Sequence, residues 1–136
     1  MIKIIFVFLL ITTVNAGDIK KASSIFNMVI KNIAHKNTPK VYLHVEIESI
    51  KKYPKDLKIT TNCSDADVVV LSTLKNIPST CKDKILFGTR YSHLKNTNVV
   101  GAFFWQKGRP NILFYQKRLD RYNIDLDSSF DKYIEN

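Results

Sequence analysis

A chain of 136 residues with 45% hydrophobic side chains has material for one core and no linker, repeat or low-complexity segment that would divide it into two. Its 21 lysines and arginines against 12 acids give a net charge of +9, which keeps anionic partners in view. Two cysteines and three histidines exclude a multi-ligand zinc site, because neither residue type shows ligand spacing.

Residues 1–16, MIKIIFVFLLITTVNA, read as a secretory signal. Lys3 supplies the positive start, Ile4 to Ile11 the apolar core, and Val14-Asn15-Ala16 a small-residue cleavage site. The core is too short to span a bilayer, and no second apolar run of membrane length follows. Gly17-Asp18, where a lipid anchor would need cysteine, argues for a free protein, with an uncleaved N-terminal anchor as the alternative. One domain over residues 17–136 is therefore expected in the periplasm, without stable membrane insertion after cleavage. Losing Lys3 leaves about +8 on the remainder, mostly as scattered lysines. No nucleic-acid partner is expected of an exported chain, and adsorption to an acidic surface or partner is the better use of that charge.

The first element of the remainder is an amphipathic helix over Ile19 to Ala34, with Ile19, Ala22, Ile25, Phe26, Val29, Ile30 and Ile33 at helical spacing and Asp18 as N-cap. Such a stripe belongs to a core more often than to a membrane surface. KVYLHVEI then alternates as a half-buried strand, with Val41, Leu43, Val45 and Ile47 inward and His44 outward as a surface residue. A helical turn around Ile50 to Tyr53 and a strand near Leu57 to Thr61 follow. ADVVVLS, Ala66 to Ser72, is the β-branched run of a strand at the centre of a parallel sheet, and KILFGT, Lys84 to Thr89, is a second buried strand.

Cys63 stands at the entrance to the first of these strands and Cys81 in the loop leading into the second. In an exported domain the pair is expected as a structural disulfide, since the C-x-x-C spacing of redox catalysis is absent. Val99 to Trp105 and Asn111 to Tyr115 flank the polar turn Gln106 to Pro110, a hairpin signal. Phe103, Phe104 and Trp105 cannot all face one side of a strand, so at least one ring must lie away from the main core. Lys117 to Tyr122 read as a helix, and Asp127 or Ser128 caps a last one through Ile134.

The expected fold is α/β: one compact domain whose mixed, mostly parallel sheet of about five to six strands ends in an antiparallel hairpin near the C-terminus, with flanking helices.

Catalytic signatures are missing. The chain has no G-x-S-x-G, no histidine and carboxylate at helical spacing within an expected helix and no free nucleophilic cysteine, and its acids at Asp120, Asp125, Asp127 and Asp131 suit capping and solvation. No enzyme, cofactor or metal is therefore expected. Two binding sets remain. Phe103, Phe104, Trp105, Lys107 and Arg109 have the composition of a protein-binding hot spot, with the first helix as a second contact surface. Ser72, Thr89 and Arg90, at the ends of the two central strands, form a candidate anion site, although turn chemistry accounts for them too.

In the order of these elements the chain resembles the YfiR family of small periplasmic regulators. The stretches that carry the likeness are IKKASSIFNMVIKNI, CSDADVVVLS, ILFGT and VVGAFFWQKGRPNILFYQKRLDRYNIDLDSSF. The resemblance implies a compact α/β domain that represses the periplasmic part of an inner-membrane signalling protein, a diguanylate cyclase in the type case or a sensor kinase. The chain departs from that pattern in its short segment between Ile47 and Cys63, its lone cysteine pair and its aromatic GAFFWQKGRPN stretch. The expected function is thus a non-enzymatic exported regulator or sensor, and the rival is a small periplasmic solute-binding domain for an anionic small molecule.

Overall fold

In the computed structural model, which describes residues 16–136, the amphipathic stripe forms helix α1, Ala16–Ala34. Apart from Ala16, the expected leader lies outside the described residues. Asp18 stands inside the first turn of α1, not at its cap, where its carboxylate favours the positive end of the helix dipole. Then follow β1 (Lys40–His44), α2 (Glu48–Lys52), β2 (Lys58–Thr60), β3 (Val68–Leu71), β4 (Ile85–Gly88), β5 (Val99–Gln106), β6 (Arg109–Tyr115), α3 (Gln116–Arg121) and β7 (Ile134–Glu135).

The seven strands make one sheet in the order β2-β1-β3-β4-β5-β6-β7, with every neighbouring pair parallel except β5 and β6. This is the expected α/β architecture with one strand more at its edge. The last expected helix is instead a 3₁₀ turn, Ser128–Tyr133, and Ile134 continues into β7 beside Phe114.

Both faces of the sheet are covered. On one, Phe26, Val29, Ile30 and Ile33 of α1 pack over Val41, Val68, Val70 and Phe87. On the other, Val69, Leu71, Leu86 and Val99 lie under Leu94, Phe104 and the two cysteines. All four residues of β3 are therefore buried, which is why that run carries no polar alternation. The same coverage corrects the placement of His44. Its side alternates away from α1, but that side is the second core, partly roofed by Leu74 and Ile77, and the ring is 7% exposed. Nε2 lies 2.7 Å from the Lys75 carbonyl, which only accepts, so this nitrogen carries the proton.

Cys63 and Cys81 form a disulfide with Cα atoms 5.1 Å apart, both buried in the second core. Closing a loop over a separation of 18 residues stabilises the fold by about 3 kcal/mol on the chain-entropy model. A closed cystine in a small domain points to an oxidising, exported environment.

Strand β5 changes register along its pairing with β4. Leu86 of β4 pairs with Val99, whereas Phe87 pairs with Gly101, so Val100 is an extra residue in a bulge. Beyond it Phe103 faces α1 and Phe104 the second core. Gly101 is glycine for want of room: a Cβ there would stand 2.4 Å from Phe114 Cδ1 and 2.6 Å from the Leu113 carbonyl oxygen. Over that gap the Phe114 ring meets Phe87 at 5.8 Å between centroids. The hairpin turn is tighter than the expected five residues. Lys107 and Gly108 alone form it, with φ of 52° and 73°, the left-handed pair of a type I′ turn.

Candidate functional site

Strands β1, β3, β4 and β5 all point their C-terminal ends at one edge of the sheet. From β1 the chain moves outward to β2 and returns on the other side as β3, so the crevice between their ends is a topological switch point, the usual ligand position in such sheets. An open cleft of about 750 Å³ lies along this edge. Ala22 and Phe26 of α1 and Glu46, Ile47 and Ser49 after β1 line one side. Arg90, Tyr91 and Ser92 after β4, with Phe103 to Gln106 of β5, line the other, and Ser72 and Thr89 stand at the strand ends.

The structure thus brings the two expected binding sets to one place but divides their members. The hydroxyls are engaged internally. Ser72 donates to the carbonyls of Val45 and Glu46 at 3.2 and 3.3 Å, and Thr89 donates to the Leu71 carbonyl at 2.7 Å. A hydroxyl has a single hydrogen, so neither retains a donor for an anion. The Thr89 amide is engaged too, donating to His93 Nδ1 at 3.0 Å. That bond fixes the imidazole with Nδ1 unprotonated. Burial, and then the charges of Arg90 and Lys95, holds the His93 pKa below its ordinary value. Gly88 permits this packing, since a Cβ there would stand 2.7 Å from the Cβ of His93. Of the expected anion set, only Arg90 is exposed, and it enters no ion pair among the described residues.

In the aromatic set, Phe103 and Phe104 are buried walls. Phe103 meets Phe26 edge-on at 5.0 Å, and Phe104 meets Tyr91 at 5.5 Å. Trp105, stacked obliquely on Phe103 at 5.9 Å, is 41% exposed and is the member free to make contact. Lys107 and Arg109 lie outside the cleft, around a smaller hollow at the hairpin tip with Gln106 and Asn111. Helix α1 spends most of its apolar stripe on the core, and only Ala22 and Phe26 reach the cleft.

Two residues of this edge escape sequence reasoning. Tyr91 is 63% exposed, and its signal is a large aromatic placed just past the end of a buried strand. Val45, expected inward on a strand reaching Ile47, is instead 55% exposed just past the end of β1 at His44, with φ of 66°, a left-handed conformation that a β-branched residue rarely adopts. Nothing in the alternation of KVYLHVEI announces it. Among the described residues no group of three or more His, Cys, Asp or Glu is placed to hold a metal, and no helix is long and apolar enough to cross a membrane.

No protein-family model matches the chain, and no curated protein resembles it detectably in sequence. Among solved structures it is similar to a conserved domain protein from Vibrio cholerae O1 biovar El Tor str. N16961, with a TM-score of 0.56 at 8% identity. The match covers 85% of this chain and 58% of that one, so this chain spans little more than half of its structural neighbour. At this level of identity what the two share is the α/β fold.

Proposed function

We propose that the domain is an exported, non-enzymatic regulator of YfiR-like type, which acts by gripping the periplasmic part of an inner-membrane signalling protein. The observation that carries this reading is the gathering of exposed apolar side chains. Five large hydrophobic residues are exposed among those described, and three of them, Val45, Tyr91 and Trp105, stand at the edge where the parallel strands end. Scattered single exposures are ordinary, whereas Tyr91 and Trp105 both line one aromatic cleft, with Val45 outside its lining just past the end of β1, and that pairing has the composition of a contact surface. The rival solute-binding reading keeps Arg90 but loses the donors of Ser72 and Thr89 to backbone carbonyls.

Crosslinking of the tagged protein in intact cells, followed by mass spectrometry, tests the proposal. The expected catch is an integral membrane sensor or cyclase, and its yield falls several-fold for Trp105→Ser while the thermal midpoint stays within about 2 °C of the parent. A membrane catch that is indifferent to Trp105→Ser, or no protein catch at all, would refute it.

A further inference from the structure

Resting on that reading, we infer the chemistry of what is gripped: an acidic segment of the partner that seats one large apolar side chain in the cleft. At the ends of β3 and β4 the cleft offers an entering group few donors, because Ser72, Thr89 and the Thr89 amide are committed internally, and its other polar side chains, Ser49, Ser92 and Gln106, come from the flanking segments. A small polar ligand needs convergent polar groups inside its pocket, and here the interior is walled by Phe26, Phe103 and Phe104. An apolar side chain needs only those walls, since its own backbone stays outside.

The free charge lies at the cleft and beyond it, toward the hairpin tip. Glu46, the acid of the lining, is neutralised by Lys51 at 2.8 Å. Arg90, Lys107 and Arg109 are exposed, and none of them enters an ion pair among the described residues. One cation stands at the cleft and two lie past Trp105 at the hairpin tip, a spread that suits an elongated chain with several carboxylates better than one small anion. Charge complementarity of this kind selects the partner and speeds encounter, while the buried anchor supplies affinity.

Trp105 is the chain's one tryptophan, so its emission reports occupation of the cleft directly. The probe is an acetylated and amidated peptide of alternating glutamate and leucine with one central phenylalanine. Its controls are the same peptide with lysine for glutamate, the same with serine for phenylalanine, and vesicles containing phosphatidylglycerol. The acidic peptide is expected to shift Trp105 emission saturably, and salt at about 0.5 M or the triple variant Arg90→Glu, Lys107→Glu, Arg109→Glu should weaken binding at least about tenfold. The serine peptide should bind at least about tenfold more weakly still. Far-ultraviolet circular dichroism checks that the triple variant is folded.

Equal binding of the lysine peptide, a response to vesicles alone, or no saturable shift with any probe would overturn the inference. The crosslinking experiment separates its failure from that of the parent reading. A membrane partner lost on Trp105→Ser but retained by the charge-reversed variant leaves protein contact standing and removes the acidic segment. Indifference to both removes both.

Discussion

Val45 is the residue whose conformation is hardest to reconcile with its identity, and replacing it tests the account of the cleft edge. Its φ of 66° costs an L-residue about 1–2 kcal/mol, and a branched Cβ sharpens the clash. Asparagine accepts this region readily, so Val45→Asn should recover most of that strain. The loss to set against it is small. With 55% of the side chain exposed, less than half of the roughly 1.5–2 kcal/mol that a fully buried valine contributes is forfeited. The bonds from Ser72 Oγ run to the carbonyls of Val45 and Glu46, which any side chain leaves in place. The expected balance is a gain of about 0.5–1 kcal/mol, read as a higher midpoint in urea at unchanged slope. Val45→Ala provides the contrast, losing contact while relieving only the branch's share of the strain, and should destabilise by about 0.5 kcal/mol or less. If asparagine destabilises as much as alanine does, the left-handed backbone at this position is wrong.

Other perturbations follow from the same geometry. Gly101→Ala drives a methyl into Phe114 and the Leu113 carbonyl and should cost about 2–3 kcal/mol, lowering the thermal midpoint by about 6–12 °C; a change under about 2 °C would refute the packing described. Arg118 threads Nη1 toward the carbonyls of Leu94 and Val99 at 2.8 and 2.9 Å, with its guanidinium 4.4 Å from the Tyr115 ring centroid. Arg118→Lys should therefore lose about 1–3 kcal/mol despite keeping the charge, and equal midpoints for the two proteins would show that the fork is dispensable. For pH, the folded His93 pKa lies below 6.5 while the unfolded ring titrates near that value. Its contribution is thus complete above about pH 6.5 and is lost as pH falls through the folded pKa, a slope that His93→Asn should flatten. Asp67 adds a second loss below about pH 4. Burial raises its pKa, but hydrogen bonds from Lys36 Nζ and the Lys40 amide outweigh that and leave it depressed.

Much of the architecture is legible in the sequence because it depends on period. The stripe from Ile19 to Ile33 has the spacing of a helix that faces a core more often than a membrane, and VVVL is the β-branched run of a strand covered on both sides. The hairpin announces itself through the glycine-containing polar turn between Val99 to Trp105 and Asn111 to Tyr115, although its two-residue tightness does not. Three features do not declare themselves, each for a physical reason. β7 is two residues long and owes its existence to Phe114 and Tyr115 beside it, so no local pattern marks it. His44 reads as a surface residue because alternation tells which face a side chain takes, not whether that face is covered. The cleft itself gathers residues from α1, the segment after β1, the ends of β3 and β4, and β5, and separations of that order in sequence leave no spacing to read. The residue types of its rim were visible as two separate sets, and only the fold makes them neighbours.

The bulge at Val100 decides where this chain tolerates a change in length. Upstream of it Val99 stands opposite Leu86 of β4, and downstream Gly101 and Ala102 stand opposite Phe87 and Gly88, so the extra residue sits at the seam between two frames of the same ladder. A chain one residue shorter at this seam would keep every later side chain on its own face, giving up only the contacts of Val100. Shortened by one anywhere from Ala102 to Phe104, the strand would exchange inside for outside up to its turn, turning Trp105 from the α1 side of the sheet toward the second core. The aromatic edge of this sheet is therefore a matter of counting as much as of chemistry. Its aromatic residues hold their places only while an even phase is kept between the seam and the turn.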